Sequence, residues 1–391
     1  MLDKTSYPYG AGFRSLTAET LSPVALAVTG ELPAWLEGTL LRTAPSKFEV
    51  GARSYNHWFD GLAMLHRFAF AQGRVTYANR FLQSQAFRAA QATGEISYAE
   101  FATDPCRTLF GRVAALFDPK LTDNCNVNVV SYAGAPVALT ETTMPLRFAP
   151  DTLATLSVFA YAPELRGQIS MAHPHYDAAR HCQYSYMVEF GMESRYRVFS
   201  IGDDGAQALV AELPVERPAY MHSFAMTENY LILAEFPLTV SALDLKFSGK
   251  PFITNYRWQP ERGLKFRVIE KTTGREVAAP AGHAAFAFHH VNAFEDGDAL
   301  LIDMIAYPDD RHHRPALSEP ASRRRAARRH WRPHPLPRVA RRRRRGVAQG
   351  AFARAARTAP HQRAQHRQAL SLCLGHRHCG ARRLPRRDRQ D

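Results

Sequence analysis

Five residue types are missing from the end of this 391-residue chain: positions 310–391 contain no lysine, asparagine, isoleucine, methionine or tyrosine. A tail evolved to hold nucleic acid usually mixes lysine with arginine and adds serine, glycine or aromatic residues, so this one is a poor candidate for that role. Long hydrophobic runs are missing too. No stretch of 18 apolar residues occurs, and the opening MLDKTSYPYGAGFRS has no basic region followed by an apolar core. Both absences point to a soluble, cytoplasmic protein. Cys106, Cys125, Cys182, Cys373 and Cys379 show no metal-type pair spacing, and an odd count argues against a disulfide framework. They read as reduced thiols, the first three partly buried. The body holds no G-x-S-x-G, Walker loop or C-x-x-C.

What is present divides sharply at Asp310. The chain carries 50 Lys+Arg against 36 Asp+Glu, a balance that would ordinarily suggest a polyanion partner. Yet 24 arginines and only four acidic residues fall in 310–391, which leaves residues 1–309 mildly acidic. Arg, Ala, Pro and Gly make up 49 of the last 82 residues. All four have codons that begin with two G or C letters, the bias of GC-rich DNA read out of frame. The body is long enough to bury the core of one large domain, whereas the tail is expected to be disordered.

Most of the body reads as short strands bounded by turn residues, among them RVTYANRFLQS, PVALTETTM, YLILAEFPLTV and ALLIDMIAY. In DPCRTLFGRVAALFDPK, the spacing of Leu109, Phe110, Val113, Leu116 and Phe117 predicts an amphipathic helix over 106–117. Three segments share one design: HPHYDAARHCQYSYMVEF, HSFAMTENYLILAEF and HHVNAFEDGDALLIDMIAY each open on histidine, reach a polar turn and return as an apolar strand. The leading residues are His173, His222 and His289, at intervals of 49 and 67. Four-stranded units repeating every 40 to 50 residues or so are what a β-propeller needs, with insertions lengthening some intervals. Equivalent positions on the inner strands of such blades converge on one axis. Convergent neutral imidazoles suit Fe, Zn, Cu or Ni, and ordinary strand histidines are the competing reading. His57, His66, His175, His181, His283 and His290 are read as structural.

Taken together, HWFDGLAMLHRF (57–68), TDNCNVNVV (122–130), ALTETTMPLRF (138–148), MAHPHYD (171–177), YMHSFAMTENYLILAEFPL (220–238) and FAFHHVNAFEDGDALLIDMIAY (286–307) resemble the carotenoid cleavage oxygenases, in order and at family-like intervals from about Leu32 to Asp309. The resemblance implies an all-β, seven-bladed propeller with a small helical dome and non-haem Fe(2+) on its axis, held by four histidines. The first three map onto His173, His222 and His289. Glu141 matches a glutamate that hydrogen-bonds a ligand imidazole. The implied reaction is cleavage of a conjugated C=C bond of a carotenoid or apocarotenoid by O2, with carbonyl products. An apolar polyene substrate implies an apolar tunnel and contact with a membrane or lipid surface, for which 106–117 is the candidate; packing on the dome is the other use of that helix. Where many members read RNGP after the GTLLR segment, this chain reads GTLLRTAPSKFE (38–49).

The fourth histidine and two further glutamates should come from the last third of the family sequence, which the printed chain does not contain. Regrouping the codons permitted by HRQALSLCLG (366–375) one letter on allows TGKPYRYVW, and RRLPRRDRQ (382–390) allows GDFLDAIVK. Both match what the family carries in its later blades. The expectation is therefore a truncated oxygenase domain over 1–309 and an out-of-frame tail over 310–391, with the slip at about Asp309 to Arg311. Tail histidines such as His361 and His376 are not taken as ligands, no nucleic-acid partner is expected, and the printed chain should be largely insoluble and inactive. The rival readings are a stilbene-cleaving oxygenase or an isomerase on the same scaffold, a nucleic-acid-binding protein using the arginine-rich tail, and a non-catalytic binding propeller.

Overall fold

The computed structural model describes residues 10–105, 121–161 and 165–310, together with the backbone of two strands at 352–356 and 368–374. The helix expected at 106–117 lies outside the described residues. Those that are described build five antiparallel sheets of four or five strands, each a propeller blade in form, plus two short two-stranded ribbons.

The first blade runs inward through Thr20–Ala25, Arg74–Phe81, Leu62–Ala71 and Gly38–Lys47. The second and third are simple meanders: Asn128–Tyr132, Ala135–Leu139, Leu146–Phe148 and Thr155–Val158, then Ile169–Ser170 with His175–Asp177, Cys182–Glu189, Ser194–Gly202 and Gln207–Val215. Meanders suit the sequence because two-residue turns such as Ala133–Gly134, both at positive φ, join adjacent strands directly. The fourth blade, Ala225–Met226, Tyr230–Glu235, Leu264–Glu270 and Glu276–Ala278, carries an insertion over 236–263 that holds helix Ala242–Phe247 and a ribbon. That insertion accounts for the longer interval between the second and third histidine segments. In the fifth blade Phe286–Asp296 and Ala299–Tyr307 are extended by the two tail strands, Gln368–Leu374 and then Phe352–Ala356.

Strand alternation explains the packing. Along Ser194–Gly202 buried and partly buried positions alternate, apart from a bulge at Val198–Phe199, so each blade presents apolar faces to both neighbours. Separate clusters fill the interfaces: Leu65, Ala138, Leu146 and Phe148 between blades one and two, Val137, Met187, Phe199 and Ile201 between two and three, and Tyr196, Phe224, Phe236, Phe266 and Phe286 from three to five. Each fully buried large side chain contributes about 1.5–3 kcal/mol of transfer free energy. Inner strands sit side by side, Gly38–Lys47 against Asn128–Tyr132 and Ala225–Met226 against Phe286–Asp296. The outer blades leave apolar groups uncovered, Leu21 and Trp35 on the first and Val291 and Phe294 on the fifth.

Two helices escaped the sequence reading, the short Ala242–Phe247 and a longer one after the strands of the first blade. Gln85–Thr93 starts at Ser84, whose hydroxyl accepts from Phe87 N–H, and ends at Gly94 in the left-handed conformation. Asp123 accepts from the N–H groups of Gln85 and Ala86, so the first turn is satisfied by the TDN segment. The same segment ties down the HWFDG turn: Asn124 Nδ2 donates to the carbonyls of Asp60 and Gly61, and Asn126 Nδ2 to those of Phe59 and Gly61. Gly61 is required there, because a Cβ would lie 2.6 Å from the Phe48 ring and 2.9 Å from Pro45. The GTLLRTAPSK departure is accommodated as the inner strand of the first blade, with a bulge between Pro45 and Lys47.

Candidate metal centre

The inner edges of three blades deliver one imidazole each to the same point. His173 lies between Ile169–Ser170 and His175–Asp177, His222 lies just before Ala225–Met226, and His289 lies within Phe286–Asp296. Their ring centroids are 4.8 to 5.1 Å apart, and one nitrogen of each lies within 4.8 Å of the others. Nε2 of His173 and Nε2 of His222 are 3.1 Å apart. Two nitrogens bound at right angles to one ion, each about 2.1 Å from it, would be separated by about 3 Å, so this pair fits a metal. His222 is buried, His173 partly buried and His289 exposed. Burial, reinforced by the neighbouring imidazoles of His222, His289 and His175, pushes the His173 pKa down to about 3. At neutral pH that ring is uncharged and its lone pair is available, which is the state a transition-metal ligand needs.

Glu141 stands behind His222, its Oε1 2.7 Å from Nδ1. A carboxylate at Nδ1 holds the ring proton there, aims Nε2 at the cluster and raises its basicity. Tyr220 joins this pair: its hydroxyl lies 3.2 and 3.3 Å from the two Glu141 oxygens and 3.2 Å from His222 Nδ1. Burial and the nearby Glu141 push the Tyr220 phenol far up, so it remains a donor. Sequence reading missed Tyr220, although its position two residues before His222 was a usable signal. Phe59 stacks on His222 at 5.5 Å and 10°, and Phe288 meets the same ring edge-on at 5.6 Å. With Phe101 and Phe286 they form an aromatic wall beside the imidazoles.

Among the described residues, five of the other histidines have structural partners. His57 Nδ1 accepts from Phe59 N–H and caps the Trp58–Asp60 turn. His66 Nδ1 lies 2.8 Å from the Tyr77 hydroxyl, and His181 Nδ1 lies 3.4 Å from Asp203 on the surface. His175 Nε2 donates to Phe224 O at 3.0 Å, and His290 Nδ1 is 2.8 Å from Ser223 Oγ. Cys125 and Cys182 are free and buried.

A family profile described as retinal pigment epithelial membrane protein matches residues 13–356. The chain belongs to this family. Among curated members it is similar to the carotenoid-cleaving dioxygenase, mitochondrial, of Homo sapiens, 35% identical over 313 residues, covering 74% of this chain and 54% of the relative. It is also similar to the β,β-carotene 15,15'-dioxygenase of Mus musculus, 33% identical over 319 residues and covering 74% and 56%. The cobalt-substituted Synechocystis apocarotenoid oxygenase is a structural neighbour with a TM-score of 0.67 and 27% identity, covering 76% of this chain and 63% of that one. The chain thus spans little more than half the length of the curated retinal pigment epithelial membrane protein relatives it matches, and its sheets follow the propeller of the family. Among the described residues no helix is long and apolar enough to cross a membrane.

Proposed function

We propose that the parent protein is an Fe(2+)-dependent oxygenase that uses O2 to cleave a conjugated double bond of a carotenoid or apocarotenoid. The observation that carries this reading is the convergence of His173, His222 and His289 from three blades, with Glu141 at the back of His222. An all-imidazole donor set leaves a divalent iron its full positive charge, and with open positions such an ion supplies O2 activation. His173, His222 and His289 would hold it, together with a fourth histidine from a segment that the printed sequence does not carry. Glu141 and Tyr220 keep the His222 proton on Nδ1 and fix the plane of that ring. Phe59, Phe288 and Phe101 supply an apolar wall that suits a polyene and keeps water from the reacting bond. Delivery of so apolar a substrate calls for contact with a lipid surface, and 106–117 is the segment whose sequence fits one.

The same reading makes 310–391 a frame-shifted stretch, which sequencing of the source DNA across codons 305 to 320 tests directly. A base gained or lost there supports it, and an intact frame removes it. For the activity, the frame-restored protein loaded with Fe(2+) is given an apocarotenal in detergent micelles, and products are separated by chromatography. Two carbonyl fragments are expected, and they disappear in His173→Ala; a correctly folded, iron-loaded protein that cleaves no polyene sinks the assignment.

A further inference from the structure

We propose that Ser223 and His290 form a latch between blades four and five that sets the distance between His222 and His289, which makes both of them positioning residues for the metal. The proposal rests on the reading that His173, His222 and His289 hold the ion.

The need for such a device follows from the architecture. Each imidazole belongs to a different blade, and blades meet through apolar packing, which is non-directional. A metal site demands donor distances good to about 0.2 Å. Something with direction must therefore tie the ligand-bearing strands together near the axis. Ser223 is the neighbour of His222, and His290 is the neighbour of His289. Ser223 Oγ accepts the backbone N–H of His290 at 3.1 Å and is 2.8 Å from His290 Nδ1. One buried oxygen, on a residue only 5% exposed, thus grips both the main chain and the side chain of the same residue, fixing rotation as well as distance.

The strand is irregular at this contact. Pairing of Phe286–Asp296 with Ala299–Tyr307 shifts register between Ala287 and His290 and again between His290 and Asn292. Such irregularities re-aim side chains, and here they direct His289 to the cluster while His290 turns to Ser223. The opposite ring nitrogen, His290 Nε2, is enclosed and has no hydrogen-bond partner. A histidine used only as core filler would be poorly suited to that place, since an apolar residue would avoid the unsatisfied nitrogen. The His175 Nε2 to Phe224 O bond at 3.0 Å ties blade three to blade four in the same zone.

The test uses the full chain and Co2+ alone as the probe, with affinity from competition against a chelator, the ligand-field spectrum, and thermal unfolding of the metal-free protein. His173→Ala, His222→Ala and His289→Ala are controls, and if they bind Co2+ as the parent does, the three-histidine reading itself fails. With those controls negative, Ser223→Ala and His290→Ala are each expected to weaken Co2+ by about 10- to 100-fold, the range for outer partners of metal ligands, and to move the cobalt bands. The double variant should lose no more than the weaker single one, because the two residues act as a unit. Ser223→Thr, which keeps the hydroxyl, should restore affinity and spectrum. Unchanged affinity and bands in the alanine variants, or losses that simply add, overturn the latch. If Ser223→Ala does not fold, Ser223→Thr and His290→Ala decide: weakening in the second without the first supports it, and any other outcome overturns it.

Discussion

Glu141 and His222 are 81 positions apart in sequence, yet the carboxylate oxygen of one is 2.7 Å from the Nδ1 of the other. The strand turn after Ala135–Leu139 reaches across a blade to orient a ring carried by the fourth blade. Replacing Glu141 with Ala removes the acceptor and leaves the tautomer of His222 unconstrained. Metal affinity should fall about 10- to 100-fold, measured by chelator competition with Fe(2+) or Co2+, while circular dichroism stays that of the parent. Glu141→Gln, which retains an acceptor oxygen but no charge, should fall between the two.

Acid should loosen the metal-free protein in a defined window. The pKa values of His173 and His290 are both pushed down to about 3, chiefly by burial, whereas unfolded histidine titrates near 6.5. Between those values the unfolded chain binds protons that the folded chain refuses, so stability is complete above about pH 6.5 and is lost progressively as pH falls toward 3. Urea midpoints of the metal-free protein at pH 7.5 and 5 should show this loss, and His290→Ala should flatten the profile.

A buried ion pair holds blade three to blade four. Lys271 Nζ, on a side chain 1% exposed, lies 2.7 Å from Asp177 Oδ2 and 5.1 Å from the centre of the Tyr184 ring. Burial still draws the lysine below its ordinary pKa despite Asp177. Asp177→Asn leaves an uncompensated buried charge and should cost about 3–5 kcal/mol in denaturant unfolding. Asp177→Asn combined with Lys271→Met should recover most of that loss.

Asn124 is a polar clasp between the TDN segment and the turn that carries Phe59. Its side chain accepts from Ala63 N–H and donates to the carbonyls of Asp60 and Gly61. Asn124→Ala strands two buried backbone groups, Ala63 N–H and the Asp60 carbonyl, while Gly61 keeps its bond from Asn126, and a loss of about 2–4 kcal/mol is expected. The near-ultraviolet signal of the aromatic wall should weaken with it, since Phe59 is released from its stack on His222.

Elements specified by short-range pattern were readable in advance. The hairpins that open near His173, His222 and His289 pair as their turn residues implied, with His175 opposite Tyr184, Ala225 opposite Ile232 and Asp296 opposite Ala299. The coincidence of the three histidines could be anticipated because inner strands of successive blades share an axis. Glu141 came only through family resemblance, since nothing local marks one strand-end glutamate among many. Phe59 and Ser223 were out of reach for a related reason: their roles depend on which strands become neighbours across blades, a long-range fact that periodicity does not encode. Helix Gln85–Thr93 is a different kind of miss. Ser84 and Gly94 announce its ends, but its alanine-rich face has too little apolar contrast to stand out.

Because the three imidazoles lie on separate blades along one polypeptide, the order of synthesis imposes an order on the chemistry. His173 and His222 leave the ribosome well before His289, and a nascent chain ending before blade five would offer an ion two donors at most among these three. If these three hold an ion, as proposed, capture waits at least for docking of the strand that ends at Asp296, so that metal loading would report assembly of that part of the axis and not mere emergence of the histidines.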